Sequence, residues 1–247
     1  LFVTSGSVGV YGVTWSLASF LILFSTAVST TLFPEISELS SEEGIDGEIT
    51  GLLRVSLAYS GLFIIPGLIG GAIVGDVILQ VYGSGFDTGY YILLILTFAR
   101  LMYGYQGQFL TTLDAVDRPD LTFRINAVFV VANLIFNLLL TWQYGWYGAA
   151  AATTLSAGLG LALGYYYASK VLNVVIPFAE ISKQWVAAGF MAGVVYSLRT
   201  IVGESLPVVI VFVGIGAGVY FVVLLALSDE FRTTVQDNLP FALPLVQ

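Results

Sequence analysis

Long apolar runs, broken by short polar or acidic segments, make up most of this chain. Leu1 to Pro34 carries no charged residue. A membrane-spanning helix needs about 20 mostly apolar residues, rising ~1.5 Å each across a hydrocarbon core of ~30 Å. On that measure the pattern predicts about seven spans, over residues 8–33, 52–81, 88–113, 121–142, 146–169, 184–202 and 206–227. Pro34 is expected to end the first, with an acidic loop from Glu35 to Glu48 after it. Pro66, with Gly70 and Gly71, is expected to kink or break the second. In lipid such a break persists only where neighbouring helices satisfy the freed backbone groups. No charge occurs between Ile125 and Ser169, so the fourth and fifth spans read as one hairpin turning at Gln143-Tyr144-Gly145. After the seventh span the tail Ser228–Gln247 is polar at first.

Composition fixes the solvent. Apolar residues are 57% of the chain and charged residues 10%, and the mean hydropathy is +0.92. Soluble domains carry about 25% charged residues, so lipid is the medium that tolerates this sequence. There is no cysteine and no histidine. That excludes thiol nucleophiles, disulfides, Cys/His zinc sites and Ser–His–Asp triads. Glu42 and Glu43, and Asp114 with Asp117, fall in loops without the fixed pairing of a catalytic site, and no metal or cofactor is expected. The net charge is −8, from 16 Asp and Glu against eight Lys and Arg. Without a basic stripe, nucleic acid is not an expected partner. The chain starts at Leu1 with no visible signal peptide and is read as a piece of a longer protein.

The basic residues orient it. Arg54, Arg118, Arg124, Lys170, Lys183 and Arg232 fall on one side of the predicted spans, and only Arg199 near an end on the other. By the positive-inside rule the first side is cytoplasmic, so the chain's N-terminus is outside and its C-terminus inside. Tyr82, Tyr90, Tyr91, Trp142, Tyr144 and Trp146 gather near the outer ends, as interfacial belts do.

The informative residues are polar ones inside spans. Ser16, Ser19, Thr26 and Thr30 form one stripe on the first span, suited to close helix packing. Thr97, Arg100, Gly104, Gly107, Gln108 and Thr111 share a face of the third. A mid-span arginine costs on the order of 3 kcal/mol by insertion scales, so it faces the bundle interior or a wet cavity. Arg100 admits two readings: a structural partner for a helix end or an acid, or an anion contact in a transport cavity. Asn126, Asn133 and Asn137 form a stripe on the fourth span, as interhelical glue or as a polar cavity wall. Asp76, on the second span, reads as an interfacial carboxylate or a cation ligand.

Several segments together resemble the C-terminal half of polysaccharide flippases in the multidrug/oligosaccharidyl-lipid/polysaccharide exporter superfamily. They are Val8–Val13 leading to Leu32-Phe33-Pro34-Glu35, then Tyr82–Phe86, Leu113–Pro119, and Asn133 to Asn137 followed by Tyr144–Ala150. The resemblance implies an all-α integral membrane fold of two lobes, MATE-like, opening alternately to each side. In that frame residues 1–170 are the C-terminal lobe, and residues 171–247 are two additional helices and a cytoplasmic tail. The implied activity is flipping a lipid-linked oligosaccharide across the cell membrane, not an enzymatic reaction. The acidic composition resembles flippases of salt-loving archaea, for which the carrier is a dolichol phosphate lipid. Membrane lipid, the lipid-linked glycan, and glycosyltransferases or an oligosaccharyltransferase of the pathway are the implied partners. Arg100 is then expected to meet phosphate, with Gln108, Asn126, Asn133 and Asn137 contacting sugar. Arg54, Arg118 and Arg124 are expected to gather head groups at the cytoplasmic mouth. A cation-coupled multidrug exporter of the same fold is the alternative, but no predicted span holds a central Asp or Glu. A membrane-embedded glycan polymerase or ligase is a third, but the outer loops are short.

Overall fold

The computed structural model describes residues 5–41, 46–203 and 205–238, and among them there are helices but no strand. The helices are α1 (Ser5–Leu21), α2 (Leu23–Leu39), α3 (Asp46–Ser60), α4 (Ile64–Gln80), α5 (Tyr90–Ala115), α6 (Pro119–Val171), α7 (Phe178–Val202), α8 (Leu206–Leu227) and α9 (Asp229–Asn238). Among the described residues, four helical stretches are long and apolar enough to cross a membrane, five when the bent α1–α2 pair counts as one. One of these stretches, α6, holds both legs of the predicted hairpin, folded at Gly145. The remaining predicted span, α5, is long enough but carries the polar stripe. It can be polar because α1 to α4 and α6 pack around it, and most of its face is buried.

The first span is broken, which the sequence pattern did not anticipate. α1 and α2 meet at 42° around Ile22. Ser19 donates to the Trp15 carbonyl at 2.6 Å and Thr26 to the Ile22 carbonyl at 3.2 Å. Such hydroxyl bonds to the preceding turn bend helices, and here they flank the break.

Pro34 does not stop the helix; α2 runs through it to Leu39. One turn's missing backbone bond is outweighed by burial. Ile36, just past the proline, is packed with Ile49, Leu53, Leu57 and Phe109. Ser40 then ties the end of α2 to the end of α5 by donating to the Ala115 carbonyl at 3.0 Å. The predicted acidic loop is correspondingly shorter: Glu35 and Glu38 lie in α2, and Glu48 in α3, while Glu42 and Glu43 lie outside the described residues.

The second span is interrupted by a turn at Gly61–Phe63, not at Pro66 or the two glycines, and Gly47–Gln80 still forms one stretch. Pro66 sits third in α4, where its missing N–H belongs to the first turn, whose amides have no partner within their own helix. Gly70 and Gly71 continue the helix.

The hairpin of α6 turns where expected. Gly145 has φ 60° and ψ −137°, a conformation for which a side chain is strained. The second leg lays Ala157, Gly160, Gly164 and Ala168 toward α5. A Cβ at Gly160 would lie 2.6 Å from the Gln106 amide, so the small residues are what let the two helices close. The first leg leaves Phe123, Val131, Leu134 and Leu138 exposed, an apolar face suited to lipid. α7 and α8 pair with each other and pack on α4. The polar start of the tail is a helix, α9, capped by Ser228, whose Oγ accepts from the Phe231 amide at 3.0 Å. The rest of the tail, from Leu239, lies outside the described residues.

Candidate functional site

Arg100 lies near the middle of α5 and reaches α1. Its guanidinium carbon is 4.1 Å from the centre of the Trp15 ring and 5.6 Å from that of Tyr103. It also donates to Ser19 Oγ at 2.7 Å. Among the described residues no carboxylate is within ion-pair distance of it. A partly buried cation is thus held by ring faces and one hydroxyl, with no carboxylate among the described residues to neutralise it. The sequence reading placed Arg100 on a polar face but missed its clasp. The signal was there: Trp15 and Ser19 are four apart and share one face of α1.

Gln108 is 2% exposed. Its amide donates to the Ser25 carbonyl at 2.9 Å and Ser25 Oγ at 3.2 Å, fastening α5 to α2. A Cβ on Gly104 would be 2.9 Å from the same Ser25 Oγ, so the two helices touch closely there. The structure brings Gln108 to a packed seam, on the same helix as Arg100 but two turns away.

Asn133 and Asn137 join the legs of α6. Asn137 donates to the carbonyl and Oδ1 of Asn133, both at 3.0 Å, and Asn133 donates to Ser156 Oγ at 3.2 Å. Asn126, toward the start of the same leg, is exposed and has no part in this chain of bonds. Replacing Asn133 with valine removes the side-chain bridge from this stripe to Ser156 on the second leg. A loss of about 0.6–1.7 kcal/mol is expected, read as a lower Tm of the full-length protein in detergent.

The three arginines expected at one mouth do lie at one end of the bundle, and each has an acid. Arg54 bonds Glu230 of α9 at 3.0 Å. Arg118 bonds Asp120 at 3.1 Å, and Arg124 stands 4.0 Å from the same carboxylate. At the other end Asp76 accepts from Arg199 at 2.8 Å, linking α4 to α7, and Arg199 also bonds the Ile73 carbonyl. No group of acids among the described residues could hold a metal ion.

Between α1, α4, α7 and α8 lies an apolar cleft of about 360 Å³, walled by Leu17, Phe20, Pro66, Met191, Phe212 and Phe221. It offers almost no polar surface, and Gly67, Gly70 and Gly71 line its α4 side.

Apolar helices around a polar central helix, with a clasped cation inside, define a multi-pass membrane protein of the transporter type. The chain belongs to the lipid II flippase MurJ family, matched over residues 1–216. It is 36% identical over 243 residues to the probable flippase AglR of Haloferax volcanii, covering 96% of this chain and 51% of that protein. It is 31% identical over 247 residues to the probable low-salt glycan biosynthesis flippase Agl15 of the same organism, covering 99% and 52%. The chain therefore spans about half the length of these curated relatives. Its fold is similar to lipid II flippase MurJ in an inward closed conformation, with TM-score 0.70 and 18% identity over 91% of this chain and 46% of that one.

Proposed function

We propose that this chain is the C-terminal half of a flippase that moves a lipid-linked oligosaccharide to the outer leaflet of the cell membrane by alternating access. The observation that carries the reading is Arg100: a guanidinium inside the bundle, oriented by Trp15, Tyr103 and Ser19, with no carboxylate among the described residues to neutralise it. Such a group suits the phosphate or pyrophosphate that joins glycan to lipid. The names of the archaeal relatives support a glycan-linked substrate. The apolar cleft suits a polyprenyl tail, which keeps to hydrocarbon while the head group takes a polar path. Asn126, Asn133 and Asn137 then offer amides along that path, and Gln108 holds the wall. Arg54, Arg118 and Arg124 stand at the cytoplasmic mouth, where exchange of their acidic partners for an anionic head group gives a first encounter. The N-terminus of the chain is outside and the C-terminus cytoplasmic in this reading, and residues 1–170 form the lobe that faces a second, N-terminal one.

The test is deletion of the complete gene in its host. Lipid-linked oligosaccharide is expected to accumulate on the cytoplasmic side while surface glycans become incomplete. Complete surface glycans with no build-up, in a host lacking a second such gene, would exclude the reading.

A further inference from the structure

At the end of the bundle opposite Arg54, Arg118 and Arg124, side chains from four helices and a short turn surround an open hollow of about 590 Å³. That volume is within the range of small-molecule sites, about 300–1,000 Å³. Three of the side chains are rings: Tyr90 and Tyr91 at the start of α5, and Tyr147 at the start of the second leg of α6. With them stand Asp76 and Gln80 of α4, and Asp87 and Thr88 of the turn before α5.

A tyrosine of an interfacial belt needs only an apolar body and a hydroxyl turned to water. Here the rings are fixed by one another and by the backbone. The Tyr90 hydroxyl donates to the Ala72 carbonyl of α4 at 2.6 Å. Tyr91 stands edge-to-face with Tyr90, the centroids 5.0 Å apart at 70°, and Tyr147 does the same with Trp146 at 5.5 Å and 73°. Tyr91 is 64% exposed and Tyr147 is exposed as well, so ring surface stays open to a guest.

The charges decide what kind of guest. Arg199 is already engaged by Asp76 at 2.8 Å. Asp87 is exposed and has no ion pair among the described residues, so it repels a phosphate or carboxylate. A cation would meet Arg199 in the same hollow and make no use of the Gln80 amide or the Thr88 hydroxyl. A neutral guest remains, with hydroxyls for the carboxylate and amide and an apolar C–H face for the rings, which is the chemistry of a sugar. We propose that this hollow binds a neutral sugar unit, with Tyr91 and Tyr147 as ring platforms and Asp87 and Gln80 bonding its hydroxyls. The source of the sugar rests on the flippase reading: it is the glycan that has crossed, held at the outer end before release.

The experiment is saturation-transfer NMR on the purified full-length protein in lauryldimethylamine N-oxide, a detergent without a sugar head group. The probes are methyl glucoside, methyl galactoside and methyl mannoside. At least one is expected to bind, with a Kd on the order of 1 mM because the site is open and its contacts are few. Tyr91→Ala and Tyr147→Ala are each expected to raise that Kd about tenfold, as is Asp87→Ala. Tyr91→Phe keeps the ring and should bind as the wild type does. Tyr144→Ala, exposed but outside the hollow, should leave binding unchanged. Absence of a signal from all three glycosides overturns the proposal, as does binding of tetramethylammonium or inorganic phosphate in their place. So does glycoside binding that is the same in the wild type and in the variants of Tyr91, Tyr147 and Asp87. The flippase reading fails separately: a deletion strain that retains lipid-linked precursor, beside a protein that binds no glycoside, removes this site alone.

Discussion

Gly148→Ala is expected to leave no monodisperse full-length protein after extraction in detergent. A Cβ at this position would stand 1.9 Å from the Leu140 carbonyl oxygen, 2.3 Å from its carbon and 2.8 Å from the Thr141 nitrogen. All three are main-chain atoms of the facing leg, so no side chain can rotate away. Even a close carbon–oxygen contact is about 3.3 Å, so the legs must part by more than 1 Å. That opens the turn at Gly145 and loosens the seam from Asn133 to Ser156. Overpacking against a rigid neighbour falls among the few single changes that cost more than about 4 kcal/mol. The control is Gly107→Ala, where an added carbon meets nothing within 4 Å and alanine favours the helix. A Gly148→Ala protein with the wild-type elution profile and Tm would show that the hairpin is not closed as described.

Arg100→Ala is expected to slow flipping of the lipid-linked glycan about tenfold to a hundredfold while leaving the protein folded. The range follows from one hydrogen bond to a charged group, about 1.5–3 kcal/mol, at about 1.4 kcal/mol per tenfold. Stability should change little, because the side chain carries no ion pair among the described residues and its removal lets an unneutralised charge out of a low-dielectric site. Arg100→Lys keeps the charge but loses the flat face that lies on Trp15, so it should recover only part of the rate. The measurement is the amount of lipid-linked precursor retained on the cytoplasmic side in a deletion strain complemented with each variant, alongside the Tm of each. Wild-type flipping by the alanine variant would remove Arg100 from the transport path. A large fall in Tm with a matching fall in flipping would make it a packing residue instead.

The span-by-span plan of the membrane bundle was legible in the sequence because hydropathy records which solvent each segment meets. The uncharged stretch from Ile125 to Ser169 and its glycine gave the α6 hairpin to within a residue or two. The helix α8 lies where its apolar run placed it. The breaks were less legible. Proline and glycine mark where a helix can fail, but Pro34 is carried through by the burial of Ile36 beyond it. Pro66 is harmless in a first turn, and the actual interruption falls at Gly61, where Gln184 from a distant helix takes the Ala58 carbonyl. No local pattern contains that partner.

The same division holds for the polar residues. The sequence alone placed Arg100, Gln108, Asn133 and Asn137 on long, mostly apolar helices, where a charge or amide is costly enough to require a reason. Only the tertiary structure decided what each one meets. It gave Arg100 to an aromatic clasp on α1, Gln108 to a seam with α2, and the two asparagines to the facing leg of their own hairpin. Side-chain type and spacing fix a residue's depth and face. Its partner depends on which helices close on one another, and that is settled by small residues such as Gly104, Gly148 and Gly160 at the points of contact.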